Sequence, residues 1–158
     1  MHEELFFSTN GANQGELLAH LNRCDELFVP RLNERTNIEA YCKKIRTNCV
    51  RFEAWHEQAL IGCVATYCND KKKRVGYITN VSVVPEWQSR GIATRLMSDC
   101  FNHVIATGFN VLELEVDYRN LLAVTFYRKL GFELIRRLDT SQTMAINLSA
   151  SSDFLSIN

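Results

Sequence analysis

Val83-Val84-Pro85-Glu86-Trp87-Gln88-Ser89-Arg90-Gly91-Ile92-Ala93-Thr94-Arg95-Leu96 runs from an apolar strand end, through a polar loop, into an amphipathic helix start. The first amides of a helix have no intrahelical partner, and the aligned peptide dipoles add positive potential there. Together they make an anion site. Gly91 has no side chain and Ala93 only a methyl, so a pyrophosphate can approach the backbone closely. Arg90 and Arg95 are candidate cations beside it. The loop carries neither the G-x-x-x-x-G-K-[ST] of a Walker loop nor the G-x-G-x-x-G of a Rossmann turn. Alone, such a helix start serves equally well to pack a helix tightly on a sheet.

On either side of this loop the elements read clearly. Downstream, Gly91 to Thr107 is a helix with Ile92, Leu96, Cys100, Val104 and Ile105 inward and Gly108 as its stop. A strand follows at Val111 to Val116, then a short helix from Leu121 to Leu130 stopped by Gly131. Two last strands are Phe132 to Arg137 and Thr143 to Leu148. Upstream, Tyr77 to Val84 is a strand, Asn69 to Lys73 a polar hairpin loop, and Leu60 to Tyr67 an apolar strand. Val50, Phe52 and Ala54 alternate with Arg51 and Glu53 on another strand, and His56-Glu57-Gln58 is a turn. Nearer the start come a short strand at Leu5-Phe6-Phe7 and a helix from Gln14 to Phe28 ended by Pro30. A second helix is opened by a Thr36-x-x-Glu39 capping box. The order β-α-α-β-β-β-α-β-α-β-β describes an α+β fold on a mostly antiparallel sheet with one βαβ crossover.

The 158 residues suit one domain, expected over 1–148 with a loose tail at 149–158. With 46% apolar and 23% charged residues the composition is globular, which excludes disorder, collagen and coiled coil. No apolar run approaches the roughly 20 residues of a membrane span. Met1-His2-Glu3-Glu4 is acidic with no apolar core behind it, so a cytoplasmic rather than secreted protein is expected. Eighteen basic residues balance eighteen acidic ones. A duplex-binding protein needs a broad positive field, so nucleic acid is not an expected partner, and phosphate binding would have to be local. The basic run Lys71-Lys72-Lys73 reads as a solvated turn. Six cysteines show neither C-x-x-C nor zinc spacing, so no metal is expected and they read as reduced core thiols.

Gln88-Ser89-Arg90-Gly91-Ile92-Ala93 matches the Q/R-x-x-G-x-G/A motif, with Ala93 where many members have glycine. Asn120-Leu121-Leu122-Ala123-Val124-Thr125-Phe126-Tyr127-Arg128-Lys129-Leu130-Gly131-Phe132 matches N-x-x-A-x-x-F-Y-x-x-x-G-F. In this order, joined by a helix and a strand, the two segments resemble the GNAT superfamily of acetyl-CoA-dependent N-acetyltransferases over about residues 3–148. The resemblance implies an acyl-CoA N-acyltransferase fold, in which two parallel strands splay apart, here 77–84 and 111–116. It implies a bulge near Val81-Ser82-Val83 and backbone contacts from Val81 and Val83 to the pantetheine of acetyl-CoA. Amides from Gln88, Ser89, Arg90, Gly91, Ile92 and Ala93, with Thr94 nearby, would hold the pyrophosphate. Asn120 and Ala123 would contact the cofactor, Asn120 being also a sound helix cap.

The implied reaction is direct attack of a neutral amine on a thioester, so no cysteine nucleophile is needed. Tyr127 matches the tyrosine that protonates the departing thiolate, a role for which a neutral phenol is suited. Glu113 and Glu115 share one strand face, and Glu115 resembles the base position of ribosomal-protein N-terminal acetyltransferases. A solvated glutamate is its plainer reading. Histone-type members carry their glutamate where this chain has Tyr77, so that mechanism is not carried over. The oxyanion would meet an N–H near Val81 to Val83.

The acceptor site is expected from the first two helices and the middle hairpin, with Arg35, Tyr41, Asn69 and Tyr77 as candidate contacts. Pro30, Arg35, Tyr41 and Lys44 resemble a bacterial subgroup associated with surface-polysaccharide clusters. The expected acceptor is therefore a small primary amine, with an amino sugar as one candidate. The alternatives are a protein N-terminus or lysine, or a non-catalytic acyl-CoA sensor. No membrane partner is expected, and the oligomer is a monomer or homodimer.

Overall fold

The computed structural model describes residues 4–150. Seven strands form one sheet in the order β1-β2-β3-β4-β5-β7-β6. The strands are β1 Leu5–Thr9, β2 Cys49–His56, β3 Ala59–Tyr67, β4 Val75–Val83, β5 Val111–Asp117, β6 Glu133–Arg137 and β7 Ser141–Asn147. All neighbours pair antiparallel except β4 and β5, which are parallel and joined by the crossover helix α4, Ile92–Ala106. The mixed, mostly antiparallel α+β sheet expected from the element order is the one observed. Within the described residues no helix is long and apolar enough to cross a membrane.

Alternation along β3 supplies two cores. On one face Val64 packs with Leu96, Met97, Cys100 and Phe101 of α4. On the other, Leu60, Cys63 and Ala65 pack with Leu17 and Leu21 of α1, Gln14–Cys24, and Ile45 of α3, Ile38–Asn48. A strand buried on both faces must be largely apolar, as β3 is, and its buried Thr66 hydroxyl meets Cys100 Sγ at 3.2 Å. Five cysteines are buried and Cys68 is half-buried, all as thiols. Burial pushes the Cys24, Cys49 and Cys100 thiols up to about 12, which keeps them protonated and unreactive.

Several boundaries differ from the sequence reading. The first helix ends at Cys24, tightens into a single 3₁₀ turn at Asp25–Leu27, and is finished well before Pro30. A one-turn helix, α2 Leu32–Arg35, occupies what read as loop. Asn37, not Thr36, caps α3: its side chain accepts from the Ala40 amide at 2.9 Å. Thr36 instead ends α2. The capping box belongs to α1, where Asn13 and Glu16 satisfy each other's amides. Ile105 is 38% exposed rather than inward, because Leu96, Cys100 and Val104 already fill the stripe α4 turns to the sheet. Of the expected tail, Leu148–Ala150 forms a 3₁₀ turn and 151–158 lie outside the described residues.

The segment entering α1 is held by a buried ion pair. Glu53, wholly buried in β2, accepts from Ser8 Oγ and from the Gly11 and Ala12 amides. Arg51 meets it at 3.1 Å and donates onward to the carbonyls of Ala12 and Arg46. Two side chains on one face of β2, Arg51 and Glu53, thereby tie the starts of α1 and β2 together. Removing one partner leaves an uncompensated buried charge. Glu53→Ala should lower the unfolding free energy in urea by about 3–5 kcal/mol, and a loss below about 1 kcal/mol would mean the pair is dispensable.

Candidate active site

β4 and β5 pair only at Val75↔Val111, Gly76↔Leu112 and Tyr77↔Glu113. Beyond that point their edges part. The cause is visible in β4: Ala65 faces Asn80 and Thr66 faces Ile78, so Thr79 is an extra residue with no partner on β3. A bulge of this kind increases local twist and bends its strand away. It lies at Thr79, upstream of the expected Val81-Ser82-Val83. The Val84 amide bonds the Ile61 carbonyl at 2.9 Å. Antiparallel alternation then turns the peptide groups of Val81 and Val83 away from β3, toward the gap. Of these, the Val83 carbonyl accepts from Gln88 Nε2 at 3.1 Å.

At the end of β4 the chain turns into α4. Gly91 is its N-cap, at φ +80°, with no side-chain cap. The first intrahelical bond is Arg95 N–H to Gly91 carbonyl, so the amides of Ile92, Ala93 and Thr94 have no partner in the helix. Ser89 also adopts a positive φ of 62°. Ile92 buries its side chain in the core, leaving only its amide for an anion, and Ala93 and Thr94 are half-buried. The Arg90 guanidinium lies 4.4 Å above the Trp87 ring. Arg95 is turned elsewhere, over Phe7 at 4.0 Å and paired with Asp99 at 3.3 Å, so it is withdrawn as a phosphate cation.

A cavity of about 540 Å³ opens at the gap. One wall carries Tyr127, Asn120 and Ala123 from α5, Leu121–Leu130. Asn120 caps that helix, accepting from the Ala123 amide at 3.3 Å. Tyr127 is half-buried against Phe126 and Phe132, with ring centroids 5.5 and 5.7 Å away. Burial raises its phenol, so it stays protonated at neutral pH. Glu115 lines the same cavity from β5, exposed, accepting from Ser141 Oγ at 2.6 Å. Asp117 lies two residues on, held ionised by the Arg119 fork at 2.9 and 3.0 Å, whose hydrogen bonds pull its carboxyl below the usual range.

The opposite wall comes from Phe28 and Pro30 in the linker between α1 and α2, from Arg35 of α2, and from Tyr41 and Tyr77. Asp25 fastens this linker, accepting from Arg31 and from the Asn33 amide. Tyr41 donates to the Thr79 carbonyl at 2.9 Å, and burial pushes its phenol up to about 12. Burial, then the nearby Glu115, raises Tyr77. Asn69 is not part of this wall. Its amide donates to the Asn48 carbonyl at the end of α3, because the β3–β4 loop folds back on that helix. Ser82 lines the cavity, and its hydroxyl meets His20 on α1 at 2.8 Å.

A profile of the Acetyltransferase (GNAT) family matches residues 16–132. The chain belongs to the GNAT family. It is 35% identical over 77 residues to an uncharacterized N-acetyltransferase of Methanocaldococcus jannaschii, covering 46% of this chain and 34% of that protein. It is 28% identical over 88 residues to an N-alpha-acetyltransferase of Arabidopsis thaliana, covering 55% of this chain and 46% of that protein. The match thus spans under half the length of these relatives. The PaiA N-acetyltransferase of Thermoplasma acidophilum, solved in complex with coenzyme A, superposes with a TM-score of 0.70 at 14% identity, covering 90% and 99% of the two chains. That likeness establishes the GNAT fold.

Sequence reasoning missed the polar residues on the α1 side of β4. His20 and Asn80 are 1% and 2% exposed, yet neither stood out. The available signal was a polar residue at an inward strand position, which for Asn80 between Ile78 and Ser82 could have been noticed. The GNAT turn itself yields a test. A Cβ at Gly91 meets nothing within 4 Å, so the cost of adding one is purely conformational. Gly91→Ala should lower unfolding stability by about 1 kcal/mol, read by thermal denaturation; an unchanged Tm would contradict the left-handed cap.

Proposed function

We propose that this GNAT chain transfers an acetyl group from acetyl-CoA directly to a small primary amine. The observation that carries the reading is that Tyr127, Glu115 and the parted edge of β4 all face one cavity. The residues present suit acetyl-CoA. The peptide groups of Val81 and Val83 lack strand partners toward the gap and can pair with pantetheine amides. The amides of Gly91 to Thr94, with Gln88, Ser89 and Arg90 beside them, suit the pyrophosphate. Asn120 and Ala123 border the same slot. Bound there, acetyl-CoA supplies an activated thioester.

The chain's own groups then have separate tasks. Tyr127, a protonated phenol on a rigid helix, donates its proton to the departing sulfur. Glu115 takes the proton the amine must lose, directly or through a water. An N–H near Val81 to Val83 meets the developing oxyanion. Arg35, Tyr41 and Tyr77 orient the acceptor, with Asn69 no longer among the contacts. An amino sugar remains one candidate acceptor. A second reading, a protein N-terminus as acceptor, is favoured by the Arabidopsis relative's name; a panel of peptides set against small amines separates the two.

Losing a general acid costs roughly 100-fold or more in rate. Tyr127→Phe should therefore lower kcat by about 100-fold with little change in acetyl-CoA affinity; unchanged turnover would remove Tyr127 as the acid. Glu115→Gln keeps the side-chain shape but cannot take a proton, so it should likewise lower kcat by about 100-fold; unchanged turnover would remove Glu115 as base.

A further inference from the structure

A hydrogen-bonded chain runs from the core to the cavity wall. His20 Nδ1 lies 2.9 Å from the Leu60 carbonyl and its Nε2 2.8 Å from Ser82 Oγ. Ser82 Oγ is 2.7 Å from one end of the Asn80 side-chain amide. Asn80 lines the cavity, is 2% exposed, and the other end of its amide has no hydrogen-bond partner. The Tyr41 phenol, whose own proton goes to Thr79, stands within reach of that end.

Which end of the amide is oxygen follows from the protons around it. A carbonyl only accepts, so His20 Nδ1 must carry a hydrogen for Leu60. Burial keeps the ring neutral, lowering its pKa to about 4 against the opposing Leu60 hydrogen bond, and the nearby cation Arg23 lowers it further. A neutral imidazole has one ring hydrogen, so Nε2 is bare and accepts from Ser82. Ser82 has one hydroxyl proton, and it is now committed. Asn80 must therefore donate to Ser82 Oγ through its Nδ2. The unpartnered end is then its oxygen.

We propose that Asn80 Oδ1 faces the cavity as a buried acceptor and takes an N–H of the acceptor amine. A buried acceptor without a donor is unfavourable, and a primary amine or ammonium supplies several donors. Tyr41, whose proton goes to the Thr79 carbonyl, leaves oxygen lone pairs beside it for the same group. Naming the ligand an amine rests on the acyl-transfer reading. The orientation of Asn80 does not.

Two measurements on the CoA-bound protein test this without reading turnover, so a failure of acetyl transfer is seen separately. The first is ¹⁵N NMR of the histidine rings. His20 should be the neutral Nδ1–H tautomer, and a hydrogen on Nε2 would overturn the orientation. The second uses n-butylamine as probe, titrated while the Asn80 side-chain resonances are followed in the unmutated protein. It should shift them saturably, whereas butyltrimethylammonium, which has charge but no N–H, should not. Asn80→Leu should weaken n-butylamine binding about tenfold or more and leave CoA affinity unchanged. Equal effects of the two amines, no shift with either, or unweakened n-butylamine binding in the variant would overturn the proposal.

Discussion

Everything at the site depends on β4 and β5 being hydrogen-bonded for three residue pairs and then parting. Parallel strands normally keep pairing, because each unpaired peptide group gives up a bond it could have made. Here the extra residue Thr79 bends β4 away just where the pairing stops, and Tyr41 reaches across to hold the bulge by its carbonyl. The result is a strand edge with ready donors and acceptors inside an otherwise continuous sheet. An extended molecule carrying amides fits such an edge as an added strand would. The same parting opens the cavity into which α5 turns Tyr127 and β5 turns Glu115.

A chain with eighteen charges of each sign can hold a polyanion on this frame, because the positive potential is built from backbone. The unpartnered amides after Gly91 and the dipole of α4 act within a few ångströms, where a net positive surface is unnecessary. Several of the charges hold the scaffold instead. Arg51 and Glu53 fix the entry to α1, Arg31 and Asp25 fix the linker over the cavity, and Arg119 holds Asp117 at its rim.

The turn from Val83 to Leu96 and the Asn120 to Phe132 segment were legible because each ties specific residue types to fixed spacings: a glycine at a helix start, a helix cap, and a tyrosine about two turns beyond the cap. Strand alternation at Leu112, Leu114 and Val116 gave the buried face of β5 correctly. The bulge was misplaced by two residues, since β4 mixes polar and apolar residues on both faces and a one-residue insertion there leaves no clear periodic trace. Asn37 and Thr36 are adjacent cap formers, and only the three-dimensional end of α2 decides between them. Asn69 looked accessible in a polar loop, but the loop's fold-back onto Asn48 is a tertiary contact. The His20–Ser82–Asn80 chain joins residues 62 apart in sequence at its widest step, beyond the reach of local pattern.

The most direct test of the parted-strand account is amide hydrogen exchange with and without CoA. Protection should rise at Val81 and Val83 and across Gly91 to Thr94, while β2, remote from the gap, stays unchanged. Protection appearing instead around Arg23, His56 and Trp87, where a separate cavity lies, with β4 unaffected, would contradict it.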